Sequence, residues 1–178
     1  DLCLTAARAG QPVGAAAPAA LFGPGDLRGD DQSVVGSVLT GALAVAPPDD
    51  VNVMDVRDMA DAVLRMAEMG WFGASVALGG HNTTVADLSE LIAALGGVSP
   101  PPRAPGIARA LPLSAAALYA MEAAAAPLGL STPPALPALL TLAGGHQAVS
   151  PAEQALGAAP RPLAETIADE IVWRRRLS

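Results

Sequence analysis

The sequence predicts an α/β fold, a parallel sheet flanked by helices and joined to a mostly helical cap, on three observations. Over residues 1–97, short apolar or small-residue runs alternate with helical periodicities in the order strand, turn, helix, strand, helix, strand, helix. The helices of that stretch carry recognisable ends: Asp55 and Thr84 at their starts, Gly70 and Gly96-Gly97 at their stops. After Gly97 the strand-like runs cease at Pro100-Pro101-Pro102, and the rest of the chain reads as mostly helix.

The first nine residues read as the end of a helix, closed by Gly10. Val13 to Leu21 is a small-residue run suited to a strand buried on both faces where other backbones approach closely, and Phe22-Gly23-Pro24-Gly25-Asp26 is a turn with Pro and Gly at turn-favoured positions. Val34, Val35, Val38, Leu39 and Ala42 follow helical spacing until Pro47-Pro48, and Val51 to Met54 is extended. Val56, Met59, Ala60, Val63, Leu64 and Ala67 recur at helical intervals and predict an amphipathic helix facing the core. Asp55 caps that helix, and Asp58 and Asp61 sit in its early turns, where the macrodipole favours them. Ser75 to Leu78 is a strand ending in Gly79-Gly80. Thr84-x-x-Asp87 resembles a capping box opening a helix that buries Leu88, Leu91, Ile92 and Leu95. In the second half, helices are expected over Ser114 to Ala126, Pro134 to Ala143 and Ser150 to Gly157. The stripe Leu163, Ile167 and Ile171 ends in Arg174, Arg175 and Arg176, read as cations at a solvated helix C-terminus.

Composition mainly excludes. The 178 residues carry 10 Lys+Arg against 17 Asp+Glu, a formal charge of −7, and every basic residue is Arg. Without lysine the chain itself offers no Schiff-base chemistry, P-loop or Tyr/Lys proton relay. The acidic balance disfavours nucleic acid or an anionic membrane as partner. The mean hydropathy of +0.41 raises the question of a membrane span. The longest uncharged stretch, Ala123 to Ala152, is broken by Pro127, Pro133, Pro134, Pro137, Gly144 and Gly145, so none is expected. Cys3 is alone and reads as a small apolar helix residue; no signal peptide is visible, and a cytoplasmic location is expected. A start without Met, directly in helix-like sequence, leads us to expect a chain cut from something longer.

No catalytic set emerges from spacing. There is no G-x-G-x-x-G run between a strand and a helix, no Walker A run and no metal-ligand spacing. His81 and His146 read as surface or loop residues, and Tyr119, the one tyrosine, as packing. Asp55, Asp58 and Asp61 could mimic a general acid/base pair, but capping accounts for them. No catalytic and no metal-binding residue is therefore assigned.

Four segments, taken in order, resemble landmarks of one family. Pro18-Ala19-Ala20-Leu21-Phe22-Gly23-Pro24-Gly25-Asp26, then Asn52-Val53-Met54-Asp55-Val56-Arg57-Asp58-Met59-Ala60, then Leu78-Gly79-Gly80-His81-Asn82-Thr83-Thr84, and finally Pro160-Arg161-Pro162-Leu163-Ala164-Glu165-Thr166 are similar to the extended short-chain dehydrogenase/reductases. Within that group the flavour is that of NAD-dependent epimerase/dehydratases, dihydroflavonol-reductase-like proteins and hopanoid-associated sugar epimerases. The resemblance implies the C-terminal half of a Rossmann-type doubly wound parallel sheet plus a helical substrate-binding cap. Residues 1–97 would be the remaining part of the NAD(P)-binding fold, interleaved with substrate-binding elements, and 98–178 the cap. In the family the Gly-rich loop and the Tyr-x-x-x-Lys pair precede these landmarks, so the chain would be inactive alone, its missing N-terminal half the principal partner. The implied cofactor is NAD or NADP, and the substrate a sugar nucleotide or a small alcohol or ketone.

By the same resemblance Pro18, Ala19 and Ala20 would lie against the nicotinamide, and Asp26 and Arg28 at the substrate mouth, Arg28 pairing with an anionic group. The family often has Asn before that Pro; here it is Ala17, which removes a polar substrate contact. Two other readings remain open on the sequence alone, a non-catalytic binding or regulatory protein of the same fold and one half of a split enzyme. A half-sheet would expose strand edges, so the isolated chain is expected to oligomerise or aggregate.

Overall fold

The structure, a computed structural model, describes residues 2–30, 32–104, 157 and 159–177. The helices expected over 114–126, 134–143 and 150–157 lie outside the described residues except for Gly157, as do Tyr119 and His146. The α/β class is borne out. In chain order the described elements are α1 (Leu2–Arg8), β1 (Ala15–Pro18), β2 (Ala20–Phe22), α2 (Val34–Leu39), β3 (Asp50–Asp55), α3 (Val56–Glu68), β4 (Ser75–Leu78), β5 (His81–Thr84), α4 (Val85–Gly96) and α5 (Leu163–Arg175).

The strands form two small sheets. β1 pairs in parallel with β4, Ala15 opposite Ser75 through Pro18 opposite Leu78. One residue later the same run of chain changes partners, and β2 pairs in parallel with β3, Ala20 opposite Val53. β5 lies antiparallel on the other edge of β3, with Val53 opposite His81. His-Asn-Thr-Thr has no apolar alternation, so β5 is a strand that the sequence does not announce; it exists because β3 offers it a ladder.

Local chemistry explains the helix boundaries. Asp55 accepts the Arg57 N–H at the start of α3, and Thr84 accepts the Asp87 N–H at the start of α4. Ser33 caps α2, and α4 ends at Gly97 in the left-handed conformation that glycine tolerates without strain.

Two apolar cores result. The larger gathers Val35 and Val38 of α2, Val51 and Val53 of β3, Leu88 and Ile92 of α4, and Ile167 and Ile171 of α5. The smaller sits between β1/β4 and α3 and gathers Met54, Ala62, Met66, Val76 and Leu78. Here the structure differs from the expected face of α3. Ala62 and Met66 turn inward, while Ala60, Val63, Leu64 and Ala67 are exposed. Two apolar arcs run along this helix, and the sheet sits under the one with smaller and more flexible side chains. No helix among the described residues is long and apolar enough to cross a membrane.

Candidate functional site

The place where the chain changes sheets is the natural site. In open α/β sheets ligands bind beyond the carboxyl ends of parallel strands, where the strand arrangement changes direction. β1 and β4 both end there, at Pro18 and Leu78, and the Ala19 N–H donates to the Leu78 carbonyl at 2.8 Å. Pro18 is exposed, and Ala19 and Ala20 are half-buried, so the side chains of the crossing itself are no larger than a methyl or a pyrrolidine ring. Pro18, Ala19 and Ala20, the three residues expected to face a nicotinamide, all lie at this crossing.

Next to the crossing, Gly80 must be glycine: a Cβ there would run into the Val53 carbonyl. Its N–H donates to Asn52 Oδ1 at 2.8 Å, and Asn52 Nδ2 donates to Asn82 Oδ1 at 2.7 Å. The buried Asn52 amide therefore ties the end of β4 to β3 and β5.

Beyond β2, the loop from Gly23 to Asp30 carries Asp26 and Arg28, and the structure brings these two together. Arg28 Nε and Nη2 reach the two carboxylate oxygens of Asp26 at 2.8 and 3.0 Å, a fork-on-fork pair. Asp26 also receives Arg174 Nη2 at 2.6 Å. Arg28 is thus already neutralised, and an anionic substrate group would have to displace Asp26 from it. Burial pushes the Asp26 carboxyl up, but its bonds to Arg28 and the charges of Arg28 and Arg174 outweigh this and hold it below the ordinary range.

Arg174 corrects a sequence expectation. It is no solvated helix end: its side chain is 8% exposed and meets Asp26, Asp30 and Glu170. Glu170, itself buried, accepts the Gly23 N–H at 2.9 Å. Burial raises its carboxyl above the usual range, against the opposing pull of the Gly23 N–H and Arg174. One face of α5 thus holds the turn of the Gly23–Asp30 loop from below. The spacing of Glu170 and Arg174, four residues apart, was the available signal, but such pairs are usually surface pairs.

A second group of ions fastens the start of α5. Asp55, almost fully buried, accepts Arg57 Nε and Nη2 and the Thr166 hydroxyl, the last at 2.7 Å. Burial raises its carboxyl, and the bonds from Arg57 and Thr166 more than reverse this. Arg57 reaches on to Asp169 at 2.7 Å. Asp58 receives both the backbone N–H and the guanidinium of Arg161. His81 Nε2 lies 2.6 Å from the Arg161 carbonyl. Asp55 is the cap the sequence predicts, Asp58 and His81 fasten the tail, and only Asp61 stays largely in solvent. Every one of these carboxylates is engaged by a cation or a donor, which fits structure better than acid/base chemistry. Among the described residues no group of three His, Cys, Asp or Glu is placed to hold a metal.

No family model matches the chain, and no curated protein matches it. Solved structures do. A nucleoside-diphosphate-sugar epimerase from Pseudomonas aeruginosa, PA4631, superposes with a TM-score of 0.68 at 24% identity, covering 99% of this chain and 52% of that one. RMD from Pseudomonas aeruginosa, complexed with NADPH, gives 0.62 at 17% identity, covering 98% and 52%. A UDP-glucuronic acid 4-epimerase from Bacillus cereus, in complex with UDP-glucuronic acid and NAD, gives 0.63 at 13% identity, covering 99% and 50%. At such identities the likeness is one of fold. The chain spans about half the length of these structures and shares their Rossmann-type α/β architecture.

Proposed function

We propose that this chain is the C-terminal, substrate-side portion of an NAD(P)-dependent nucleotide-sugar epimerase or dehydratase, or of a dihydroflavonol-type reductase. The single observation that carries this reading is the crossing at Ala19. There, two parallel strands end side by side under small side chains, in a fold that covers about half of proteins solved with NAD or NADPH. When bound, the nicotinamide would supply hydride exchange with a carbinol carbon of the substrate. This chain's own residues would do the holding. Pro18, Ala19 and Ala20 present backbone to the ring, and Asn52 and Gly80 fix the crossing. Asp26 and Arg28 stand at the substrate mouth, steadied by Glu170 and Arg174. The Tyr-x-x-x-Lys pair and the Gly-rich loop would come from a preceding half of the protein, and residues 98–178 would include the substrate cap.

The test is a titration of the purified chain with NADH, followed by cofactor fluorescence and tryptophan quenching. The chain alone gives no saturable signal and no turnover with UDP-sugars. The same chain carrying the polypeptide encoded upstream of Asp1 gives both. Tight NADH binding or turnover by the chain alone would refute the need for a second half. An upstream sequence lacking the Gly-rich loop and the Tyr-x-x-x-Lys pair would favour a non-catalytic relative, and a separately encoded partner that co-purifies would favour a split enzyme.

A further inference from the structure

Asp26 is shared by two arginine side chains of very different exposure. Arg28, 39% exposed, lays Nε on Asp26 Oδ1 at 2.8 Å and Nη2 on Oδ2 at 3.0 Å. Arg174, 8% exposed, donates Nη2 to the same Oδ2 at 2.6 Å. Arg174 is also held elsewhere: Glu170 accepts its Nε–H, and Asp30 and the Arg28 carbonyl accept from its Nη1. Asp26 Oδ1 accepts the backbone N–H of Arg28 at 3.1 Å as well, closing an Asx-type turn. If the Arg28 guanidinium swings away, each oxygen of Asp26 keeps a donor, the Arg28 amide on Oδ1 and Arg174 on Oδ2. The exposed cation can thus leave without orphaning a largely buried charge, which is otherwise the costly step.

We propose that Asp26 is a built-in competitor for Arg28, which a diphosphate displaces and a monocarboxylate does not, and that Arg174 retains Asp26 when Arg28 leaves. The proposal rests on the functional reading above for placing this loop on the substrate side, and it narrows the substrate to one that carries a diphosphate. The loop leaves the carboxyl end of β2 beside its parallel neighbour β3, the end of an open α/β sheet where ligands lie. The competition sets the ligand class. Asp26 stands two residues from Arg28 in the chain, so its effective concentration at the guanidinium far exceeds that of a free ligand. A monocarboxylate exchanges one fork-on-fork pair for an equal one and forfeits that advantage. A diphosphate brings more negative charge and more acceptor oxygens, and the guanidinium fork matches phosphate as well as carboxylate geometry. An uncharged alcohol or ketone offers Arg28 no anion, and the pair stays closed. Arg174 is a positioning residue in this exchange, because it touches Asp26 and not the ligand.

Magnetic resonance of the arginine side chains in the purified chain tests the exchange, with inorganic pyrophosphate as probe and acetate as the monocarboxylate control. Pyrophosphate moves the Arg28 Nε–H signal saturably and leaves that of Arg174 in place; acetate at the same ionic strength moves neither. Asp26→Asn removes the competing charge and tightens pyrophosphate binding about fivefold, the scale of one exposed ion pair, while Arg28→Gln abolishes it. Asp30→Asn, the same charge change on the same loop, tightens it less. A purely structural Asp26 predicts the reverse, because loosening the loop weakens a site built on it. Unchanged or weaker binding by Asp26→Asn, equal tightening by Asp30→Asn, or binding that survives Arg28→Gln overturns the proposal. So does a wild-type Arg28 signal that pyrophosphate leaves still or that acetate moves equally, and this reading needs no variant to fold. UDP acts as pyrophosphate does; an Arg28 that answers NADH and not UDP overturns the substrate-side assignment. If the longer protein shows no NADH-linked turnover of UDP-sugars while Arg28 still answers UDP, the functional reading fails and the exchange stands.

Discussion

The region built on β2, β3 and β5 and the region built on β1 and β4 share one run of chain from Ala15 to Phe22, yet they are finished to different degrees. The first is closed. α2, α4 and α5 pack Ile92, Leu88 and Ile167 to zero exposure, and the buried polar side chains of α5 are each paired: Thr166 with Asp55, Glu170 with Gly23 and Arg174 with Asp26. Among the described residues the second has one helix on one face, and that helix shows Val63 and Leu64 to solvent. The lesson concerns division of labour: the loop from Gly23 to Asp30 is steadied by α5, while β1 and β4 each have one strand neighbour among the described residues.

The largest expected effect falls on the closed region. Arg174→Leu leaves Glu170 and Asp26 without their shared cation and costs about 3 kcal/mol in urea unfolding, in line with breaking a buried pair. Ile167→Ala in the same region costs about 2–4 kcal/mol by loss of burial plus a cavity. In the open region Val76→Ala, which removes one carbon fewer, costs about 1 kcal/mol. Equal costs for Ile167→Ala and Val76→Ala would erase the distinction. Smallest is Arg103→Ala, which removes exposed pairs to Asp87 and Glu90 and leaves the melting temperature unchanged.

The pH dependence arises from the same network. Asp55 and Asp26 are held below the ordinary carboxyl value of about 3.9, so their contribution is complete above that pH. It is lost as pH falls through their lower folded values, and Asp55→Asn removes part of this acid transition. Glu170 has the opposite sign, because burial raises it. Its contribution is complete below the ordinary glutamate value of about 4.3 and declines as pH rises through the raised one. The stability of wild type relative to Glu170→Gln therefore shrinks with rising pH, measured by urea melts between about pH 3 and 7.

Local signals in the sequence foretold most of the scaffold. Asp55, Thr84 with Asp87, and Gly97 mark helix ends because each acts within three or four residues, and Ser75 to Leu78 reads as the strand it is. What could not be read depended on distant chain. β5 is polar and needs β3 to become a strand. α3 carries two apolar arcs, and only the sheet decides which is buried. Arg174 looks like a terminal cation until Asp26, 148 residues earlier, is brought against it. At the candidate site, the small residues at Pro18 to Ala20 were legible as a place of close approach, but the bracing of Asp26 and Arg28 by α5 was not.

Amide hydrogen exchange on the isolated chain tests the central contrast most directly. The backbone amides of β3 and α4 should exchange slowly, through global unfolding, while those of β1 and β4 exchange through local opening about a hundredfold or more faster. Equal, global protection of all four elements in the isolated monomer would show that the β1/β4 region is complete without a second half, and would contradict the account.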